Sequence, residues 1–140
     1  MPVTSNEPKR LSDLVKKEFW IPQGWCRKEV TVNQAVQTTY VMGTTLGKIT
    51  ASGKYIIAKE TASDGSKVVD AIFIGGDGAT IGEDLVIAAA TDTTVLVLIR
   101  GPLIVGDDVL LFDATYNNAA KLGVAYASLE AKDISIETQF

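Results

Sequence analysis

The feature that most constrains the fold of this chain is a series of short β-rich runs that starts after Glu29. Turn signals built from glycine, aspartate and proline separate the runs, which recur at intervals of roughly 8 to 12 residues. This spacing is typical of an antiparallel β-sandwich or barrel. We therefore predict a mainly β domain of the α+β type, with strands at residues 30–32, 38–42, 46–50, 55–58, 68–74, 85–90, 94–100 and 109–112.

The last part of the chain has a different periodicity. Apolar residues recur at three- and four-residue steps within an alanine-rich segment, which predicts one C-terminal helix over about residues 116–131. Asp113 or Thr115 is placed to cap the first turn of this helix. A short alternating apolar run then predicts a last strand at residues 134–136.

The N-terminal segment differs from the rest of the chain in both charge and composition. Residues 1–30 hold six basic and four acidic side chains, whereas residues 31–140 hold seven basic and thirteen acidic ones. Prolines and a glycine interrupt the segment and leave room for only one short amphipathic helical turn. We therefore predict an extended N-terminal arm at residues 1–28, followed by a β-rich domain at residues 29–140.

Both tryptophans of the chain, Trp20 and Trp25, lie in this arm. An arm broken by Pro22 and Gly24 cannot easily bury large aromatic side chains against itself, and such side chains dominate protein interfaces. Packing of the arm onto its own domain is the alternative interpretation. We expect the partner contact to be made by the apolar residues of the arm, which are Leu11, Leu14, Val15, Phe19, Trp20, Ile21 and Trp25.

The composition argues against an enzyme and against a metal or cofactor site. The chain has no histidine, and its single cysteine, Cys26, has no histidine to activate it. The segment from Gly43 to Lys48 is not a phosphate-binding loop, because three residues instead of four separate its glycines and Ile49 follows where Ser or Thr is required. We expect no catalytic residues, no metal ligands and no cofactor.

The charge and hydropathy patterns also limit the partners that can be expected. Thirteen basic and seventeen acidic residues give a net charge of −4, which argues against direct binding to nucleic acid. No apolar run approaches the roughly 20 residues that a membrane helix needs, so we expect no membrane association. Synthesis in the cytoplasm of the producing cell is the default expectation.

One charged residue lies at the end of the most apolar predicted strand. Arg100 is followed by Gly101 and Pro102, so its charge should lie at the rim of the core. It is either an ordinary surface arginine or part of a subunit interface. We take Arg100 and Pro102 as candidate interface residues.

Several segments occur together in a characteristic order. They are residues 11–16 with Glu18, residues 26–32, residues 43–50, residues 63–66 leading into 71–74, residues 97–102, and the C-terminal helix running into Ile134 and Ile136. Over about residues 10–136, this order and spacing resemble the lambda-type phage head decoration proteins, also called capsid cement proteins.

The resemblance implies a structural virion protein without catalytic activity. Such a protein would be made in the host cytoplasm and would trimerise on the capsid exterior. It would cap the three-fold positions of an expanded capsid and hold the shell against genome pressure, with the N-terminal arm contacting the major capsid protein. The free protein would then be a trimer or a monomer in equilibrium with a trimer. Two alternatives stay open, namely another virion β-protein such as a tail-tube or fibre component, and a small ligand-binding β-barrel.

Overall fold

The computed structural model describes residues 14–18, 26–76, 82–107 and 109–137. Within these ranges the chain forms ten strands and one helix, and no helix there is long and apolar enough to cross a membrane. The helix, α1, spans Ala119–Glu130 and lies between the last two strands. The strands are β1 Val15–Glu18, β2 Arg27–Val32, β3 Thr38–Tyr40, β4 Thr45–Lys48, β5 Tyr55–Ile57, β6 Val69–Gly76, β7 Leu85–Ile87, β8 Thr93–Leu98, β9 Leu103–Gly106 and β10 Ile134–Glu137.

Five strands close into a barrel in the order β2-β5-β4-β6-β8. The longest of them, β6, pairs with β4 on one side and β8 on the other, and all of its residues except Asp70 are buried. β2 runs antiparallel to β8 along its whole length, from Arg27 opposite Leu98 to Val32 opposite Thr93. The barrel is therefore built mainly from antiparallel ladders, as the strand spacing predicted.

Two smaller sheets lie beside the barrel. One has the order β1-β9-β10, in which β9 pairs antiparallel with β1 and parallel with β10. The other is a two-stranded antiparallel sheet of β3 and β7. The parallel pairs β9–β10 and β2–β5 depart from a purely antiparallel fold.

The buried apolar residues form two clusters. One lies inside the barrel and under β3 and β7, where the rings of Tyr40 and Phe73 meet edge to face with centroids 5.3 Å apart. The other joins the barrel to the three-stranded sheet and to α1, which contributes Ala125 and Leu129. The mainly β fold with a C-terminal helix is confirmed, and the core extends beyond the barrel on the side of the helix.

The predicted strand at residues 109–112 is wrong. Leu111 forms only an isolated bridge with Thr44, while Val109 and Leu110 are both buried. Because an isolated bridge does not extend into a ladder, this segment packs against the core instead of forming a strand. Conversely, β9 was not predicted, although it is the central strand of its sheet.

The helix begins later than predicted and has a different cap. The side-chain oxygen of Asn118 accepts a hydrogen bond from the backbone N–H of Lys121 at 2.9 Å. The Asp113 carboxylate is used within its own turn, where it accepts bonds from the N–H and the hydroxyl of Thr115 at 3.1 and 2.8 Å. Neither Asp113 nor Thr115 is therefore available as the N-cap.

The segment predicted as an arm is partly built into the domain. Leu14 is helical, while residues 15–18 form β1 and pair with β9, so the helical spacing does not continue past Leu14. Leu14 and Cys26 are fully buried in the core cluster next to α1. Arg27 and Lys28 belong to β2 in the barrel.

Candidate functional site

The turn between β8 and β9 is fixed to the loop that follows α1. The N–H of Gly101 donates to the carbonyl of Lys132 at 2.7 Å, and the N–H of Leu103 donates to the carbonyl of Asp133 at 3.2 Å. A β-carbon on Gly101 would overlap the carbonyl of Asp133. Only glycine permits this close approach of two backbones, so the turn is held in one place.

Both ends of the segment that carries the tryptophans meet this turn. Glu18, the last residue of β1, lies opposite Leu103 at the start of β9. Cys26 is the first described residue after this segment, and its Sγ atom lies 3.7 Å from the carbonyl oxygen of Pro102. The two described residues that flank positions 19–25 therefore both make contacts at the β8–β9 turn.

An open groove of about 830 Å³ lies beside the same turn. Its lining combines the turn, β9, the end of α1 and the start of β10. Pro102 is exposed there, whereas Leu103 and Ile134 are buried and form the apolar floor. The lining residues are Pro102, Leu103, Ile104, Glu130, Asp133, Ile134 and Ser135.

The sequence-predicted contact residues fall into three groups. Leu14 differs from the expectation, because its side chain is fully buried in its own domain and has no surface to offer to a partner in this fold. Val15 is half-buried against the same cluster, and Arg100 and Pro102 lie in the β8–β9 turn. The remaining five residues lie outside the described residues, and they are Leu11, Phe19, Trp20, Ile21 and Trp25.

A second surface, which the sequence reasoning missed, is a groove of about 260 Å³ between α1 and the loop before β6. We call it the helix groove. Two of its valines are strongly exposed, Val68 at 49% and Val124 at 65%. The groove is lined by Glu60, Lys67, Val68, Tyr116, Ala120, Lys121, Val124, Ala125 and Ser128.

Polar contacts fix the walls of the helix groove. The Glu60 carboxylate lies 3.6 Å from the Lys67 ammonium and 3.7 Å from that of Lys121. The hydroxyl of Tyr116 donates to the carbonyl of Lys67 at 2.6 Å. Burial, followed by the nearby carboxylates of Glu60 and Asp113, raises the pKa of Tyr116. The tyrosine therefore stays protonated and keeps donating at physiological pH.

A third surface lies on the outer side of the β3–β7 sheet, and we call it the β3–β7 patch. Val36, just before β3, is 71% exposed, and Val86 in β7 is 57% exposed. Val86 lies opposite Thr39, which is also exposed. The patch consists of Ala35, Val36, Gln37, Thr39, Val86, Ala88, Ala89 and Ala90, all of which are exposed.

The sequence does contain a signal for the helix groove. From Ala119 to Glu130, Lys121 and Glu130 are the only charged residues. A surface helix normally carries a strongly polar outer face, and one that is apolar around most of its circumference is usually covered. The exposure of Val36 has no comparable signal, because alternating apolar residues fit a half-buried strand equally well.

The sequence was also compared with models of protein families and with curated proteins. A family model described as bacteriophage lambda head decoration protein D matches residues 4–134. The chain belongs to this family. No curated protein matched the chain.

Family membership confirms the resemblance and places this decoration protein on the exterior of a phage capsid, as a component of the virion. The family consists of structural capsid proteins and is not a family of enzymes. It favours capsid decoration over the tail-tube, fibre and ligand-binding alternatives. Among the described residues of the decoration protein, no group of three or more cysteine, aspartate or glutamate side chains is arranged to hold a metal ion.

Proposed function

We propose that this decoration protein assembles as a homotrimer at the three-fold positions of an expanded phage capsid and stabilises the shell against the pressure of the packaged genome. The N-terminal segment binds the major capsid protein. The activity is mechanical, with no catalytic step and no direct contact with nucleic acid. Membership of the head decoration family supports the capsid as the place of action.

This proposal rests on the contacts that Glu18 and Cys26, the described neighbours of residues 19–25, make at the β8–β9 turn. Glu18 pairs with Leu103, and the Sγ atom of Cys26 lies 3.7 Å from the carbonyl oxygen of Pro102. Trp20 and Trp25 are of the residue type that most often dominates binding energy at interfaces. We therefore assign residues 19–25 and the exposed Pro102 to the docking surface, although the sequence favoured a trimer-interface role for Pro102.

The first described residues of the chain, Leu14 and β1, lie beside the same turn. Leu14 is anchored in the core, and the strand that follows it, β1, lies at an edge of the order β1-β9-β10. An edge strand is where a sheet can be extended by a partner segment. We therefore assign residues 1–13, including Leu11, to the capsid contact.

Binding that occurs only on the assembled shell must stabilise that shell by mass action. Saturating shells with the protein should therefore raise the temperature at which they disassemble. Trp20→Ala should weaken attachment by about 2 kcal/mol, which corresponds to about a 30-fold lower affinity. Thr94→Ala, at an exposed position of β8 in the barrel, is the matched control.

Occupancy is measured by sedimenting expanded, undecorated shells with increasing concentrations of each variant. The proposal is supported if Trp20→Ala lowers occupancy while Thr94→Ala and the circular dichroism spectra stay unchanged. Normal occupancy by Trp20→Ala and Trp25→Ala would show that this segment does not dock. Unchanged shell stability at saturating protein would contradict the mechanical role.

A further inference from the structure

The two apolar surfaces away from the β8–β9 turn are complementary, and we infer that the β3–β7 patch of one copy binds the helix groove of the next copy. This inference rests on the proposed trimer and specifies the surfaces that build it. The two surfaces cover different core clusters, since α1 packs on one cluster and β3 and β7 pack on the other. Each copy therefore carries both halves of a contact.

Val36 is exposed, yet the segment that carries it is fixed. The side-chain oxygen of Gln34 accepts hydrogen bonds from the Tyr40 hydroxyl at 2.6 Å and from the Ile57 N–H at 2.9 Å. The Thr38 hydroxyl donates to the carbonyl of Val36 at 2.9 Å. A large apolar side chain presented on such a fixed turn loses little conformational entropy on binding, which is the property of an interface anchor.

The helix groove has the size and lining to receive this anchor. Its volume of about 260 Å³ suits a few aliphatic side chains, and its open side is bordered by Val68 and Val124. Small residues such as Ala120 allow close approach along α1. Burial of Val36 and Val86 there would remove exposed valines from water on both sides of the contact.

The charges beside the two surfaces are also complementary. Glu83 and Asp84 are exposed and directly precede Leu85, the first residue of β7. Lys67 and Lys121 border the helix groove and share the single carboxylate of Glu60. Acidic residues beside the patch of one copy can thus pair with lysines beside the groove of the next, which favours this pairing over contact between two copies of the same surface.

Symmetry requires such a pair of surfaces. In a closed ring with three-fold symmetry, each copy uses two different patches in a head-to-tail contact, whereas a two-fold dimer uses one patch against itself. An exposed apolar patch and a separate apolar groove on one chain fit the first arrangement. The β8–β9 turn contributes to neither surface and stays available for the capsid.

Two variants test the contact by breaking one half each. Val36→Asp damages the patch and keeps the groove, while Val124→Glu damages the groove and keeps the patch. Each should raise the concentration needed for half-maximal trimer formation by about tenfold or more. Leu111→Gln, at an apolar position that is 44% exposed and outside both surfaces, is the matched control and should trimerise normally.

Mixing the two variants gives the decisive measurement. A head-to-tail contact leaves one intact interface between the Val36→Asp and Val124→Glu chains, so native mass spectrometry should detect a one-to-one heterodimer. A mixture that stays monomeric, or trimers formed by both variants at the normal concentration, would overturn the inference. Both variants should keep the circular dichroism spectrum of the unsubstituted protein, and their unfolding midpoints should equal its midpoint at concentrations where it is monomeric.

The same contact can be probed on shells if free chains are monomeric. A chain carrying both Val36→Cys and Val124→Cys should give a bismaleimide ladder that ends at three copies, whereas either single variant should give none. A ladder from a single variant, or no ladder from the double variant on decorated shells, would overturn the inference. If the unsubstituted protein is monomeric and also does not bind shells, the proposed function itself is refuted.

Discussion

Glu18 at the end of β1 pairs with Leu103 at the start of β9, and this contact makes the N-terminal segment part of the domain. Leu14 directly precedes β1, and its side chain is fully buried among residues of α1, β9 and β10. The segment that was predicted as an arm of residues 1–28 therefore has two functions. Residues 14–18 stabilise the fold, while residues 1–13 and 19–25 carry the proposed capsid contact.

Deletions that end on either side of Leu14 should have different effects on stability. Removal of residues 1–13 should leave the free energy of unfolding nearly unchanged, because the deletion spares Leu14 and β1. Removal of residues 1–18 should destabilise the protein strongly, since it takes away a strand and a buried leucine. Urea unfolding monitored by circular dichroism measures both effects. Equal stability of the two deletions would contradict the assignment of β1 to the domain.

Leu14→Ala tests the same point without shortening the chain. Loss of a fully buried leucine costs about 2 to 5 kcal/mol, because a cavity remains in the core. Leu111→Ala, at a side chain that is 44% exposed and outside both proposed contact surfaces, provides the control and should change stability less. If both substitutions leave the urea midpoint unchanged, the Leu14 side chain does not belong to the core.

Two glycines should respond in opposite ways to replacement by alanine. Gly101→Ala places a methyl group against the carbonyl of Asp133 and should destabilise by about 1 to 3 kcal/mol. Gly123→Ala meets no atom within 4 Å on the exposed side of α1 and should stabilise by about 0.5 to 1 kcal/mol. Thermal unfolding of the two variants in parallel checks the pair. A stabilising Gly101→Ala would mean that the β8–β9 turn is not fixed as described.

Strands with alternating or continuous apolar residues were predictable from the sequence, because the apolar positions in the sequence are the positions that the fold buries. β6 and β8 are examples, with buried runs that match the predicted segments at 68–74 and 94–100. The N-terminal segment was not predictable in this way. Its apolar residues at helical spacing fit an amphipathic turn equally well, and only the pairing with β9, far away in sequence, selects the strand.

The candidate site was predictable in residue type but not in geometry. The tryptophans were identified from composition, and Arg100 and Pro102 from their position after an apolar strand. The structure brings Pro102 next to Cys26, which is 76 residues away in sequence, and Leu103 opposite Glu18. No local pattern encodes such a contact. The N-cap of α1 was not predictable from the local sequence either. Asp113 accepts a hydrogen bond within its own turn, and Asn118 is the residue that caps the helix.

The helix cap itself gives a measurable prediction. Asn118→Ala removes the acceptor for the N–H of Lys121 and should lower the free energy of unfolding by about 1 kcal/mol. Asn118→Asp keeps an acceptor oxygen and should retain most of the stability. Thermal unfolding of both variants measures the difference. If the aspartate variant is as unstable as the alanine variant, the side-chain bond is not what stabilises the first turn of α1.

The pH dependence of stability should include a contribution from Asp64. Its carboxylate accepts bonds from the hydroxyl and the N–H of Ser66 at 2.5 and 3.0 Å, and its carbonyl accepts from the N–H of Thr50 at 2.9 Å. The hydroxyl of Ser66, followed by its N–H, lowers the pKa of Asp64 below the ordinary value. The contribution of Asp64 is therefore fully present above the ordinary carboxyl pKa and is lost as the pH falls through the lower value of the folded state.

Asp64→Asn should show this dependence directly. The variant keeps an acceptor oxygen but has no charge, so it should be less stable than the unsubstituted protein at about pH 7, and the difference should shrink toward about pH 3. Ser66→Ala removes the stronger of the two donors, and the pKa of Asp64 measured by NMR should rise in that variant. A stability difference that is constant over this pH range, or an Asp64 pKa that does not respond to Ser66→Ala, would show that these hydrogen bonds do not favour the ionised carboxylate.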